Sequence, residues 1–331
     1  MKRFSIILLA GLTVLAASCN ESGNDPLGGG SPACRLRVDI TGGATKAGTN
    51  TDSPGYETRV RDLQLLVYDQ TGVLEAYQRG TSTTGYDFDL TTGEKTVWAI
   101  ANCPDNLNRM PLDELSTLLS RLEDNSEDEG DGTFVMAGSD TGTVTPAVIN
   151  IMNVKVFRLA SRIALQSVRN SLTSSHDVIL KYAFVQNVVR EAVLTDPSSG
   201  SSEKGNVNGR TGGEDIDATS VFPEISVSGV SLGGTNVAHG EAFAPEVPAL
   251  VYSYPDTSGE AFLTLVTEIQ GSTYYYKVPL PELRPNTAYA VTLELIHLGT
   301  HSPGDDHEFS DVQGSISVEP WETGELFEAT I

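Results

Sequence analysis

The chain has 331 residues, with 44 acidic side chains against 21 basic ones, and its formal net charge is −23. Apolar residues make up 39% of the sequence and charged residues only 20%, which excludes a disordered acidic chain. A net charge this negative repels a phosphate backbone, so we expect no nucleic-acid partner. The 32 glycines and 16 prolines exclude a coiled coil. At roughly 150 residues per domain, the length predicts two domains.

The first 18 residues are typical of an export signal. Lys2 and Arg3 form a positive start, and the apolar run from Ile6 to Leu15 is too short for a permanent membrane-spanning helix. The sequence Leu-Ala-Ala-Ser-Cys, which ends at Cys19, resembles the bacterial lipobox, where the cysteine receives a lipid and the chain is cut just before it. The alternative is an ordinary signal peptide with an incidental cysteine, but the position of Cys19 favours the lipoprotein.

The residues after the signal predict a tether. Residues 19–33 are rich in Gly, Ser and Asp, a composition typical of a flexible linker. Loss of residues 1–18 removes two basic groups and leaves 19 basic residues against 44 acidic ones, a net charge of −25. We therefore expect an acidic exported protein that is held at a membrane by the lipid on Cys19.

Two further cysteines, Cys34 and Cys103, have two alternative states. In an oxidising compartment they could form a disulfide, which would close a loop of about 70 residues and stabilise the fold by roughly 4 kcal/mol. The alternative is a pair of buried thiols. Both states stay open at this point, because the sequence does not give the distance between the two Cα atoms.

Alternating apolar patterns predict a chain that is mainly β. Residues 35–40 alternate at period two, as a half-buried strand does, and residues 63–101 have the pattern of consecutive antiparallel strands. Further strands are predicted at 133–137, 148–159, 162–168, 178–189, 249–254, 262–269, 273–278 and 289–296.

One helix is predicted, from Pro111 to Leu122, because leucines recur there at helical spacing. Since strands far outnumber helices, we predict two sandwich-like domains that meet near residue 160. The first would span 34–159, and the second would span 160–331 with a mobile Gly-, Ser- and Asn-rich insertion at 196–217. The alternative is one large sandwich with inserted loops.

The candidate catalytic and metal-binding motifs lack the neighbouring structure or the residue spacing that their chemistry requires. A G-x-S-x-G motif surrounds Ser231, but the nucleophile elbow needs a helix after it and none is predicted, so we expect a glycine-rich turn. His297, His301 and His307 have no zinc-site spacing. We therefore predict no catalytic residue, no cofactor and no metal.

The acidic run at 123–132 suggests a calcium loop. An EF-hand that begins at Asp124 needs glycine at its sixth position and glutamate at its twelfth, where this chain has Glu129 and Val135. We therefore predict a solvated loop.

Several short segments occur in one order across nearly the whole exported chain. They are TKA (45–47), ETRVRDLQLLVYD (57–69), GEKTVWAIAN (93–102), FVMAG (134–138), VFRLASRI (156–163), YSYP (252–255), LRPNTAY (283–289) and ISVEPW (316–321). Behind a lipobox, this series resembles the Bacteroidales fimbrillins, the subunits and accessory lipoproteins of type V pili. The resemblance implies two transthyretin-like β-sandwich domains in tandem.

The resemblance also implies how such a subunit assembles. Family subunits reach the outer membrane as lipoproteins, and a trypsin-like processing protease then cuts after Arg or Lys near the N-terminus. Loss of the first strand opens a groove, which the C-terminal segment of another subunit fills by β-augmentation. On this chain the lost strand would be residues 35–40, and the cut would follow Lys46, Arg59 or Arg61. Arg35 and Arg37 lie within that strand and are expected to be less accessible.

The donor strand would lie at the C-terminus. Residues 325–331 contain the apolar residues Leu326, Phe327, Ala329 and Ile331, although their alternation is imperfect. If Cys34 were bonded to Cys103, a cut would not release the first strand, and this would favour an anchor or accessory subunit over the main stalk.

We therefore predict a structural subunit of a cell-surface fimbria that supports adhesion and is not an enzyme. Its expected partners are other fimbrial subunits, the outer membrane through the lipid on Cys19, a processing protease, and a host or bacterial surface ligand. One alternative is a fimbrial anchor or tip lipoprotein that does not polymerise. Another is a surface glycan-binding lipoprotein that uses Trp98, Trp321 and the tyrosines at 274–276, although the apolar run around Trp98 is more typical of a core.

Overall fold

Strands dominate the described part of the chain, which confirms the predicted mainly β class. The computed structural model describes residues 34–42, 55–126, 130–146, 149–199, 204–205, 214–216, 227–246, 248–302, 312–320 and 327–328. Several predicted features lie outside these ranges, namely the signal, the tether at 19–33, most of the insertion at 196–217, Cys19, Lys46, Leu326, Ala329 and Ile331.

The elements follow one another in chain order. The strands are β1 (Cys34–Gly42), β2 (Arg59–Val60), β3 (Leu63–Asp69), β4 (Leu74–Gly80), β5 (Tyr86–Leu90), β6 (Gly93–Ala101), β7 (Leu119–Arg121), β8 (Met136–Val144), β9 (Asn150–Arg158), β10 (Ser161–Asn170), β11 (Val178–Gln186), β12 (Val188–Val189), β13 (Glu191–Val193), β14 (Lys204–Gly205), β15 (Glu214–Ile216), β16 (Val227–Val237), β17 (Ala242–Phe243), β18 (Ala249–Ser253), β19 (Phe262–Ile269), β20 (Ser272–Pro279), β21 (Thr287–Leu295), β22 (Val312–Pro320) and β23 (Phe327–Glu328). The helix α1 spans Leu112–Leu115, and 3₁₀ turns lie at Gly55–Glu57, Leu122–Asp124 and Pro197–Ser199. Within the described ranges, no helix has the length and apolar character needed to cross a membrane.

Seven of the nine strands between residues 34 and 158 form one sheet in the order β4-β3-β6-β8-β9-β1-β5, and the short β2 and β7 pair elsewhere. β8 pairs with β6 along its whole length, but it pairs with β9 only at Met136–Arg158 and Ala137–Phe157. The sheet therefore turns over between β8 and β9, and its two parts face each other across one apolar cluster. Side chains from β3 and β6 fill that cluster from one side, and side chains from β1, β5 and β9 fill it from the other.

Gly138 makes the close approach of β8 and β9 possible. A Cβ atom at this position would lie 1.8 Å from the main-chain oxygen of Lys155, which no side chain could tolerate. Glycine is therefore required where β9 leaves the edge of β8.

Most strands after residue 160 form two five-stranded sheets, and β12, β13, β14 and β23 lie in two-stranded pairs. One has the order β17-β10-β21-β22, with β18 also paired to β10, and the other has the order β15-β16-β11-β19-β20. A second apolar cluster contains side chains from β10 and β21 in the first of these sheets and from β11 and β19 in the other. The predicted strands at 162–168, 178–189, 262–269 and 289–296 are present.

A third apolar cluster joins the two halves of the chain. It contains Leu66, Ile100 and Phe134 from the first half and Leu250 and Tyr254 from the second. The short strand β7 also pairs with β13 across the same boundary. Residues 32–331 accordingly form one compact unit.

The helix predicted from Pro111 to Leu122 is wrong beyond its first turn. The side chain of Ser116 donates a hydrogen bond to the main-chain oxygen of Asp113 (2.7 Å), and Thr117 donates one to Glu114 (3.0 Å). Such local bonds compete with continued helix. The chain after them becomes β7, because its backbone finds partners in β13.

The predicted glycine-rich turn around Ser231 is also wrong. The segment belongs to β16, where Ser231 pairs with Tyr182 of β11. Gly233 and Gly234 have φ values of 69° and 65°, and the pairing shifts register beside them, which identifies a β-bulge. In the described residues 235–246 the bulge is followed by the end of β16 and by β17, with no helix, so Ser231 does not lie on a nucleophile elbow.

Candidate subunit-assembly site

The first described strand, β1, occupies an interior position in its sheet. Residues 36–42 pair in parallel with residues 150–156 of β9, and residues 34–38 pair antiparallel with residues 86–90 of β5. The strand predicted at 35–40 is therefore present, and both of its edges are hydrogen-bonded.

The inner face of β1 carries four apolar side chains. Cys34, Leu36, Val38 and Ile40 are all buried in the cluster between the layers. Full burial of a leucine, isoleucine or valine side chain stabilises a fold by roughly 1.5–3 kcal/mol. Removal of β1 would leave four empty apolar sockets between β5 and β9, together with two rows of unpaired backbone groups.

The outer face of β1 is charged and reaches solvent. The guanidinium of Arg37 donates two hydrogen bonds to the carboxylate of Asp87 on β5, at 3.0 and 3.1 Å. These bonds lower the pKa of Asp87. The side chains of Arg35 and Arg37 are 61% and 47% exposed. The expectation that the protease reaches them less readily rests on their position inside the strand and stays a prediction. Their main chains are paired within the sheet, and a protease needs an unpaired extended segment.

The predicted cut sites Arg59 and Arg61 are both held by the loop around residues 130–132. Arg59 donates to the main-chain oxygen of Gly132 (2.9 Å). Arg61 donates to the main-chain oxygen of Gly130 (2.8 Å) and to the carboxylate of Asp131 (2.6 Å). A protease that recognises a basic side chain would have to break these contacts first.

The described part of the predicted donor segment lies on the same chain's β2. Phe327 pairs in parallel with Arg59, and Glu328 pairs with Val60. β2, which begins at the candidate cut site Arg59, is therefore paired with the C-terminal segment of the same chain.

A buried charged cluster lies directly before β2, and the sequence interpretation missed it. The carboxylate of Glu57 accepts hydrogen bonds from Arg162 (2.9 Å) and from the hydroxyl of Tyr252 (2.7 Å). Arg158 donates to the main-chain oxygen of Glu57 (2.5 Å) and to the side-chain oxygen of Asn286 (3.2 Å). Burial lowers the pKa of Arg158 to about 10, so the side chain stays protonated at neutral pH. The available signal was the presence of two arginines in otherwise apolar strand patterns, at 158 and 162.

The two described cysteines are buried in different places. Cys34 belongs to the cluster between the layers of the first sheet, and Cys103 belongs to the cluster that joins the two halves. No disulfide joins them in the structure. Burial raises the pKa of the Cys103 thiol to about 11.

The aromatic residues singled out for glycan binding differ in their exposure. Tyr275 and Tyr276 are buried, and Tyr274 is half-buried against His301. Trp98 is partly buried against the cluster that joins the two halves, and Trp321 lies outside the described residues.

The described histidines belong to no metal-like group. His301 lies against the ring of Tyr274 with a centroid distance of 4.6 Å, and His297 is exposed. Within the described ranges, no set of three His, Cys, Asp or Glu side chains could hold a metal ion. His307 and its acidic neighbours lie outside those ranges.

The sequence of the chain matches the model of a known protein family. The model of the major fimbrial subunit protein (FimA) matches residues 34–217, which is more than half of the chain. The chain belongs to this family of fimbrial subunits. Members of the FimA family are structural subunits of cell-surface fimbriae, which confirms the prediction that the chain is not an enzyme. Membership also implies association with other fimbrial subunits.

Solved structures of fimbrial proteins have the same fold. The fimbrilin FimA from Porphyromonas gingivalis W83 is 14% identical, with a TM-score of 0.61 over 87% of this chain and 98% of that one. The tip fimbrial protein Mfa3 from Porphyromonas gingivalis is 14% identical, with a TM-score of 0.50 over 88% of this chain and all of that one. At these identities the likeness shows the fold alone. No curated protein matches the chain.

Proposed function

We propose that this FimA-family chain is exported as an outer-membrane lipoprotein and becomes a fimbrial stalk subunit by protease-triggered donor-strand exchange. Cys19 receives a lipid, the chain is cut after residue 18, and residues 19–33 form the tether. The exported part consists of two transthyretin-like β-sandwich domains, 34–159 and 160–331, with the insertion at 196–217 in the second. An adhesive role follows from its position on the cell surface.

The observation that carries the proposal is the interior position of β1 so close to the N-terminus. A strand that lies between two others can leave only if the chain is cut beside it, and its loss creates a long apolar groove. The exposed groove is stabilised only when another strand enters it, and a segment of a second subunit meets that need.

Lys46 is the favoured cut site among the three candidates. It follows β1 in sequence, so a cut there frees all of β1, whereas Arg59 and Arg61 are engaged in hydrogen bonds to residues 130–132. A cut after Lys46 also leaves Glu57 in the remaining chain, where the buried cluster anchors the new N-terminal region.

The C-terminal segment supplies the donor strand. Phe327, Ala329 and Ile331 recur at period two, which is the spacing of the sockets that β1 fills with Leu36, Val38 and Ile40. Leu326 falls on the opposite face of the same strand.

The state of the cysteines bears on the choice between stalk and anchor. A strand that carries an unbonded Cys34 can depart after cleavage, so two thiols favour a polymerising subunit. The rival is an anchor or tip lipoprotein of the same fold that keeps β1 and does not polymerise.

Limited trypsin treatment tests the proposal. The protein would begin at residue 20, which retains the whole compact unit 32–331. We expect loss of the peptide that ends at Lys46, followed by SDS-resistant ladders, and we expect Lys46→Gln to block both. An Arg59→Gln, Arg61→Gln double variant serves as the control and should be processed normally. A trimmed protein that stays monomeric would reject the stalk and leave the anchor or tip.

A further inference from the structure

A groove of about 900 Å³ lies outside β1 and borders the buried Glu57 cluster, because Arg158 and Asn286 belong to both. One wall is formed by β6, β8 and β9, and the other by residues 194–197, the segment 284–287 and β22. Its volume is within the range of ligand-binding clefts, about 300–1,000 Å³. Nothing in strand exchange requires it, because none of its lining residues belongs to β1 or to residues 325–331.

The charge of the groove is opposite to that of the protein. Its lining contains two cations outside the Glu57 cluster, Lys155 and Arg284, together with the fully buried Arg158 of that cluster, and its one carboxylate is Asp140. The whole chain has 44 acidic residues against 21 basic ones, so a local excess of positive charge stands out. A cleft lined by one sign of charge concentrates ligands of the opposite sign.

The apolar part of the lining is aromatic and solvent-accessible. Phe157 is 39% exposed although it is a large hydrophobic residue, and the partly buried Trp98 belongs to the same lining. Aromatic rings that are half exposed at a wet cleft provide a flat apolar surface for the ring of a ligand. Neighbouring amides and hydroxyls supply hydrogen bonds, and these come from Ser139, Asn153, Thr195, Asn286 and Thr287.

We propose that this groove binds a saccharide that carries a carboxylate. The sugar ring lies on Trp98 and Phe157, and the carboxylate is held by Arg284 and Lys155. Arginine binds a carboxylate through paired hydrogen bonds, which gives the site its preference for acidic over neutral sugars. Peptides of acidic sequence share the charge but lack the hydroxyl-rich rings that the amide and hydroxyl lining would bind.

Isothermal titration of the chain from residue 20 with three probes tests the proposal. Sialyllactose and trigalacturonate are acidic saccharides of different origin, and lactose is a neutral control. We expect at least one acidic probe to bind tenfold or more tightly than lactose, and the stronger of the two identifies the source. Equal affinity for acidic and neutral probes, or no binding to any of them, would overturn the proposal.

A matched pair of variants separates specific recognition from general charge. Arg284 is 74% exposed with an ion-pair distance of 3.8 Å to Glu282, and Arg169 is 55% exposed with one of 3.9 Å to Glu294, outside the groove. We expect Arg284→Gln to weaken acidic-sugar binding about tenfold, the scale of a charged hydrogen bond, and Arg169→Gln to leave it unchanged. Phe157→Ala should weaken it as well, with thermal melts to confirm the fold. If both arginine variants bind equally, the carboxylate does not lie at Arg284 and the proposal fails.

Discussion

Glu57 and Arg162 form a buried ion pair with an Oε2–Nη1 distance of 2.9 Å, although they lie 105 residues apart in the chain. Glu57 belongs to the 3₁₀ turn before β2, and Arg162 belongs to the first strand of the second half. The pair therefore connects the region just after the proposed cut to the half of the chain that carries the donor segment. In the proposed assembly, this contact keeps the cleaved subunit intact while β1 departs.

The first prediction concerns the charge of Glu57. Glu57→Gln leaves Arg162 buried without its ion-pair partner, and loss of one member of a buried pair costs about 3–5 kcal/mol. We expect the free energy of unfolding in urea to fall by that amount.

The control for this prediction is Glu123→Gln. Glu123 pairs with Arg190, but both side chains are about half exposed. An exposed pair contributes about 1 kcal/mol or less. Equal losses in the two variants would show that the Glu57 pair contributes no more than a surface contact.

The second prediction concerns the turnover between β8 and β9. Gly138→Ala places a Cβ atom on the main-chain oxygen of Lys155, so the strands must separate. We expect a loss of stability of about 3 kcal/mol, the upper range for overpacking. Gly142→Ala on the same strand meets only the flexible side chain of Met152 at 3.6 Å and should leave the melting temperature nearly unchanged. If both variants melted at similar temperatures, β8 and β9 could separate at Gly138 without a loss of stability, which would contradict the prediction.

The third prediction concerns the two cysteines. We expect the chain from residue 20 to have the same mass with and without reductant, because Cys34 and Cys103 are buried in different clusters. At pH 8 the folded protein should react slowly with a thiol reagent, since the raised pKa of Cys103, about 11, keeps that thiol protonated. In denaturant both thiols should react at once. A mass increase of two hydrogens on reduction would instead identify a disulfide and favour the anchor subunit.

Local patterns predicted much of the fold. The alternation from Arg35 to Ile40 corresponds to buried and exposed faces of β1, and the apolar runs at 63–69 and 93–101 are strands β3 and β6. β1 was predictable because burial on one face of a sheet imposes a period of two on the sequence, and β3 because burial on both faces gives a short continuous apolar run.

Features that depend on distant contacts were not predictable. Leu119 and its neighbours have helical spacing, yet they form β7 because β13, some 70 residues later, supplies hydrogen-bond partners. The interior position of β1 likewise depends on β9, more than 100 residues later in the chain. The burial of Glu57 was not predictable, since its partners Arg162 and Tyr252 come from far along the chain.

The most direct test of the central claim measures whether loss of β1 creates a binding site for the C-terminal segment. A fluorescent peptide of residues 321–331 would be titrated into trypsin-treated and untreated protein, with fluorescence anisotropy as the readout. A control peptide would carry Asp in place of Phe327, Ala329 and Ile331. Donor-strand exchange predicts that only the treated protein binds, and only the natural peptide. Equal binding to both proteins, or no binding to the treated protein after the peptide that ends at Lys46 has left, would contradict the account.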